Sequence, residues 1–192
     1  MQIIELVAAT IGIIYVWLEM KASLWLWPVG IVLPLFYIYI SWKGQVYGNV
    51  LVNTYYIIAC IWGWHEWLKH KKSGTADEKP ITRMPKKYRV FIGGITVLLW
   101  VILRQVMDRY MQSPFPIWDA LATAVSLVGM WLLGKKYIEN WYSWISSNAI
   151  FCLLFFIQGY VITGCFFVIY TVIAIFGYFN WRKLMTSDAY GH

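Results

Sequence analysis

The sequence predicts an all-α membrane protein in which seven transmembrane helices form two three-helix repeats around a single linker helix. Three observations carry that prediction. Apolar residues make up 60% of the 192 residues and charged residues only 13%, against about 25% charge in an ordinary soluble domain. The apolar residues are gathered into runs long enough to cross about 30 Å of hydrocarbon as helices, and they lack the alternation of barrel strands. The chain also matches itself when shifted by 114 positions.

The first span, residues 3–20, follows no basic stretch or small-residue cleavage site of a secretory signal, so it is expected to stay in the mature protein. The second, residues 24–42, contains Pro34 near mid-depth, which removes a backbone hydrogen bond and is expected to bend the helix. The third covers residues 49–67 and ends in the Trp-rich stretch around Gly63. Residues 68–89 then hold Lys71, Lys72, Ser73, Gly74, Pro80 and Pro85, the one break long enough to link two halves. The fourth span, residues 90–107, is the linker helix. The fifth, sixth and seventh cover residues 116–133, 140–158 and 161–179, with only Gly159 and Tyr160 between the last two. The expected organisation is a first repeat over residues 1–67, a basic loop over 68–89, a linker helix with its outer loop over 90–115, a second repeat over 116–181 and a tail over 182–192.

Thirteen of the sixteen Lys and Arg residues fall on one side of this topology: Lys21, the eight from Lys69 to Arg89, Lys135, Lys136, Arg182 and Lys183. Only Lys43, Arg104 and Arg109 fall on the other. The positive-inside rule then places the basic loop and the carboxyl terminus in the cytoplasm and the amino terminus outside. The net charge of +7 is read as a topology signal, not as a nucleic-acid interface. Cys60, Cys152 and Cys165 lie inside apolar runs without paired spacing, so neither a disulfide framework nor a zinc site is indicated. His65, His70 and His192 have no metal-ligand spacing and no catalytic Ser or Cys motif is present, which argues against an enzyme.

In the 114-residue shift Trp17 meets Trp131, Lys21 meets Lys135, Trp27 meets Trp141, Tyr56 meets Tyr170, Gly63 meets Gly177 and Trp67 meets Trp181, without a gap. Three helices and one linker make four, so the second triplet enters the membrane in the same direction as the first. That is the parallel-repeat arrangement of SWEET-type transporters, in which a substrate site lies near the midplane between the repeats. A duplicated scaffold without a pathway is the alternative.

Polar residues within the spans then become candidates for the site, because a polar side chain in hydrocarbon needs a partner. Trp141, Trp144 and Asn148 stand at i, i+3 and i+7 on one stripe of the sixth helix, and Asn53 and Tyr56 form an i, i+3 stripe on the third. Tyr170 lies at mid-depth on the seventh. Indole and phenol faces beside amide groups suit a flat heteroaromatic ligand, including a cationic one. Trp25, Trp27, Trp42, Trp62, Trp64, Trp67 and Trp181, near helix ends, are expected to be interfacial anchors, a reading that applies to Trp141 as well. Arg104 with Gln105, Asp119 and Glu66 are candidate gates, with snorkelling the plainer reading for Arg104 and a solvated helix start for Asp119.

The stretch holding Trp141, Trp144 and Asn148 resembles the WxxWxxxN motif of the PnuC-type vitamin transporters. The Trp27, Pro28, Val29, Gly30, Ile31 segment and the run from Trp62 to Trp67 are similar to that family's WPxGI and YGWxxW patterns. The resemblance spans nearly the whole chain. It implies a bacterial inner-membrane carrier for nicotinamide riboside, without a cofactor, whose uptake is made directional by a cytosolic kinase acting downstream. Asn53, Thr54, Tyr55 and Tyr56 stand where nicotinamide riboside carriers tend to have Gln followed by aromatic residues, which keeps thiamine as the alternative substrate. A membrane interaction subunit without transport is the alternative from another class, and a homo-oligomer is compatible with the sequence.

No acidic residue is expected at mid-depth: Glu5 and Asp119 lie near the outer ends, and Glu19, Glu66 and Glu139 near the inner ends. Ion-driven carriers place such residues in the pathway, so facilitated diffusion is expected rather than proton or sodium symport.

Overall fold

The computed structural model describes residues 2–43, 45, 47–71, 79–111 and 113–190. Each expected span is a helix: α1 Gln2–Met20, α2 Leu26–Lys43, α3 Tyr47–Lys71, α4 Lys86–Val106, α5 Pro116–Gly134, α6 Asn140–Ile157 and α7 Val161–Tyr190. α4 runs on into a π-helical turn over Met107–Met111. α3 and α7 continue past the expected ends at residues 67 and 179, and α4 begins four residues before its expected start. Hydrocarbon thickness limits the apolar run, not the helix, whose backbone bonds continue into the charged residues beyond.

Among the described residues, four helical stretches are long and apolar enough to cross a membrane by length and composition: Leu26–Lys43, Lys86–Tyr110, Pro116–Gly134 and Val161–Thr186. α3 and α6, which carry the amide and indole stripes, are not among them.

The helices form a closed circuit. α1 packs on α2, α2 on α3, α3 on α5, α5 on α6, α6 on α7, and α7 returns to α1. α4 stands outside that ring against α5 and buries none of its own residues.

The two halves are laid out alike. α5, α6 and α7 each begin 114 residues after α1, α2 and α3, and α5 and α6 end 114 residues after α1 and α2. The turns correspond too: left-handed residues stand at Ala22 (φ 51°) and Lys136 (φ 55°), and at Gln45 (φ 59°) and Gly159 (φ 82°).

The ring's core is built on tryptophan over glycine. Trp27 lies across Gly63 and Trp141 across Gly177, each so close that a Cβ on the glycine would enter the indole. Each indole is held edge-on by a second one, Trp67 at 5.2 Å and Trp181 at 5.6 Å between ring centroids. Trp27, Trp67, Trp141 and Trp181 are therefore at most 2% exposed. This corrects their reading as interfacial anchors, because a glycine on the facing helix opens a slot that an indole fills at greater gain than it finds at the membrane surface. Trp25 and Trp42 do stand exposed at helix ends, as expected.

Trp67 and Trp181 also tie the halves together. The Trp67 indole donates to the Gly134 carbonyl at 3.1 Å and the Trp181 indole to the Glu19 carbonyl at 2.9 Å. Both acceptors lie in the last turn of a helix, where carbonyls lack intrahelical partners. Asn180 adds a bond of 2.8 Å to the Met20 carbonyl.

The end of the basic loop is docked. Thr82 pairs with the α5–α6 turn, accepting from the Ile138 N–H at 3.0 Å and donating to the Lys136 carbonyl at 3.1 Å. Met84 N–H donates to the Glu139 carboxylate at 2.8 Å, and Ile81 and Met84 are buried.

Candidate functional site

Tyr15 and Glu19 stand one turn apart on α1 and share a face. The Tyr15 ring lies over Gly30 of α2 and beside Cys60 of α3, and its hydroxyl reaches Met130 of α5 at 3.8 Å. α1 and α5 are not neighbours in the ring, so this contact crosses its interior. Tyr56 and Glu19 complete the electrostatic surroundings of the Tyr15 hydroxyl.

Glu19 is 1% exposed, and one of its carboxyl oxygens has no hydrogen-bond partner. The Trp144 indole N–H, from α6, is directed at that carboxyl without completing a well-formed hydrogen bond. A buried carboxyl facing an uncommitted indole N–H is costly unless a ligand completes both. Trp144 packs against Gly129 of α5, 3.8 Å from where a Cβ would stand, so α5 and α6 meet closely beside it.

Of the residues singled out by sequence, Trp144 and Tyr56 border this group. Asn53, three residues before Tyr56, is buried, and Asn148, four residues beyond Trp144, is half-buried. The Asn148 amide makes no hydrogen bond among the described residues. Tyr170 sits on the α7 side of the ring, with its hydroxyl against Gly12 of α1 and its ring edge-on to Phe167 at 5.9 Å. Trp141 lies in the core described above. Its indole N–H is buried without a partner, and so is that of Trp27, 114 residues earlier, so this orphan belongs to the packing pattern of both halves.

The candidate gates lie apart from the group. Arg104 is exposed on α4, outside the ring, lining a shallow cavity of about 250 Å³ with Gln105 and Asp108. Asp119 accepts a hydrogen bond from Ser113 and so fastens the loop before α5. Glu66 anchors a cluster at the ring's rim, 2.9 Å from Lys135, 3.2 Å from Lys79 and 3.8 Å from Lys69.

Sequence reasoning missed Glu19 and Tyr15. Glu19 is near a helix end, as expected, but faces the ring interior instead of the solvated boundary, so the expectation of a pathway without an acidic residue does not hold at that end. The signal that could have found both is the contrast between halves. Shifted by 114, Glu19 meets Leu133, Trp144 meets Gly30, Asn148 meets Pro34, Asn53 meets Phe167 and Tyr15 meets Gly129. Bulk and polarity depart from the shared pattern at Tyr15, Glu19 and Trp144, the three that meet at the interior.

A closed ring of apolar helices with Tyr15, Glu19 and Trp144 turned to its interior is the architecture of a multi-pass membrane protein built to enclose a small polar ligand. The chain belongs to the nicotinamide mononucleotide transporter family, whose model matches residues 2–183. It is similar to the nicotinamide riboside transporter PnuC of Escherichia coli (strain K12), with 28% identity over 74% of this chain and 69% of that protein. It is also similar to the riboflavin/roseoflavin transporter RibM of Streptomyces davaonensis, with 21% identity over 96% of this chain and 87% of that one. A crystal structure of the vitamin B3 transporter PnuC shares the fold, with a TM-score of 0.74, 23% identity, and coverage of 94% of this chain and 81% of that one. The family is one of transporters, not enzymes.

Proposed function

We propose that the chain carries nicotinamide riboside into the cell by facilitated diffusion, through a site enclosed between two parallel three-helix repeats. The observation that carries this reading is Trp144 beside Glu19, an aromatic plane and a buried carboxyl whose hydrogen-bonding groups both remain open. A pyridinium ring stacked on Trp144 would bring its positive charge to Glu19, and the amides of Asn148 and Asn53 would take its carboxamide or ribose hydroxyls. Tyr56 and Tyr170 would close the sides, with Trp141 setting the position of α6. The relatives named for nicotinamide riboside support the choice of substrate.

The correspondence of helix starts and left-handed turns supports the parallel repeats, in which each triplet moves as a unit. In this conformation the Tyr15–Met130 contact crosses the ring near its Lys-rich end, and Trp67 and Trp181 tie the same end, so uptake requires these to part. Charge asymmetry supports an inner-membrane location with that end in the cytoplasm and the amino terminus outside.

Thiamine is the second reading, favoured by Asn53, Thr54, Tyr55 and Tyr56 on α3. Competition of the two vitamins for purified protein, followed by tryptophan fluorescence, separates them: nicotinamide riboside is expected to quench at much lower concentration, and the reverse order would establish thiamine.

Glu19→Gln removes the ionisable carboxyl and keeps the shape. A hydrogen bond to a charged group contributes about 1.5 kcal/mol or more, so the variant is expected to bind nicotinamide riboside about 10-fold more weakly. An uncharged heteroaromatic analogue should lose far less. If the wild type takes up substrate faster under an inward proton gradient and Glu19→Gln abolishes that dependence, Glu19 is a proton-coupling site and facilitated diffusion is wrong.

A further inference from the structure

The molecule's large lateral cavity, about 750 Å³, is not at the centre of the ring but on its flank, between α3, α4 and α5. One wall is a stripe on α4: Tyr88, Phe91, Ile92, Ile95 and Leu99, spaced i, i+3, i+4, i+7 and i+11. From Tyr88 to Leu99 the helix rises about 16 Å, at roughly 1.5 Å per residue. That is about half of a 30 Å hydrocarbon core, the depth of one leaflet. The body of the cavity is mainly apolar, and the Tyr55 hydroxyl, the polar atom α3 contributes there, is already bonded to the Leu127 carbonyl at 2.7 Å.

Its mouth is charged. Glu66, Lys79 and Lys135 line it, and Lys69 joins the same carboxylate, so three ammonium groups share one negative charge. Each ammonium has three donors, and the pairing with Glu66 leaves donors over on each. The Lys79 side chain is 11% exposed, and its burial lowers its pKa against the opposing pull of Glu66. An excess of positive charge, partly withdrawn from water, sits where phospholipid headgroups begin.

We infer that this groove binds one anionic phospholipid of the adjoining leaflet, with an acyl chain along the α4 stripe and the phosphate on Lys79 and Lys135. The length of the stripe matches the chain, and the surplus charge at its end matches the headgroup. Because α4 packs on the ring mainly through α5 and the α5–α6 turn, a lipid there would fill the gap between the linker helix and α3 and hold α4 in place.

Native mass spectrometry of the delipidated protein, titrated with phosphatidylglycerol or phosphatidylcholine, tests this. The full-length wild type is expected to retain one phosphatidylglycerol per chain, in roughly 10-fold preference to phosphatidylcholine, since each juxtamembrane lysine favours an anionic surface by about 1 kcal/mol. Lys79→Ala with Lys135→Ala should erase the preference. Ile95→Trp, which fills the groove from a half-buried position on α4, should prevent retention of either lipid and leave nicotinamide riboside binding unchanged, so the test survives if the lysine variant does not fold. Equal retention of the two lipids by the wild type, unaltered retention in Ile95→Trp, or a second protein chain displacing the lipid would each overturn the assignment.

Discussion

Trp144→Ala is expected to weaken nicotinamide riboside binding on the order of 30-fold or more, with helix content preserved and thermal stability lowered by the cavity left in the packing. Loss of the indole face removes a cation–π contact of about 2 kcal/mol at a desolvated site. The same change removes the N–H directed at Glu19 and leaves that carboxyl facing a cavity. The fold should tolerate it, because α6 is held through Trp141, Gly177 and Trp181, which the change does not touch. Trp144→Phe keeps an aromatic plane without the N–H and should fall between the two. Isothermal titration of the purified variants measures this, and equal affinity in wild type and Trp144→Ala would remove Trp144 from the site.

Gly177→Ala and Gly63→Ala should be among the most destabilising small substitutions in the ring. In each case the new methyl would occupy the space of an indole, Trp141 or Trp27, whose edge is already braced by a second indole. Neither ring can swing away, so backbone must shift, at a cost of about 1–3 kcal/mol each. The two variants should lower the unfolding temperature in detergent by similar amounts, since both halves use the same arrangement. Gly93→Ala is the control: nothing lies within 4 Å of its new methyl, and the gain in helix propensity, up to about 1 kcal/mol, should leave stability unchanged or slightly raised.

Helix positions were legible in the sequence because the features that set them are local. An apolar run near the thickness of the bilayer, stopped by Lys21 or by Gly159, reads directly as a span and a turn. The spacing of 114 was legible for the same reason, since Trp27, Gly63 and Trp67 recur in register as Trp141, Gly177 and Trp181. Their destination was not legible. A tryptophan near a helix end can lie at the membrane surface or in the core, and the choice depends on whether a glycine faces it from another helix.

Glu19 was hidden for a related reason. Sequence gives its depth along α1 but not which neighbour it faces, because α1 is apolar on most of its circumference and Glu19 stands beside its charged end. The candidate stripe on α6 was legible as a stripe, through the spacing of Trp144 and Asn148. That Trp144 meets Glu19 follows only from how α1 and α6 sit in the ring. The flank groove is a similar case: the stripe on α4 can be read from the chain, but its partners on α3 and α5 are set by packing alone.

The most direct test is uptake of labelled nicotinamide riboside by liposomes containing this protein and no other. Saturable uptake indifferent to a proton gradient, and lost when Asn148 is replaced by alanine in a protein that still folds, is the predicted result. Uptake that persists undiminished in both Asn148→Ala and Trp144→Ala, or no uptake by the wild type, would contradict a substrate site between the two halves.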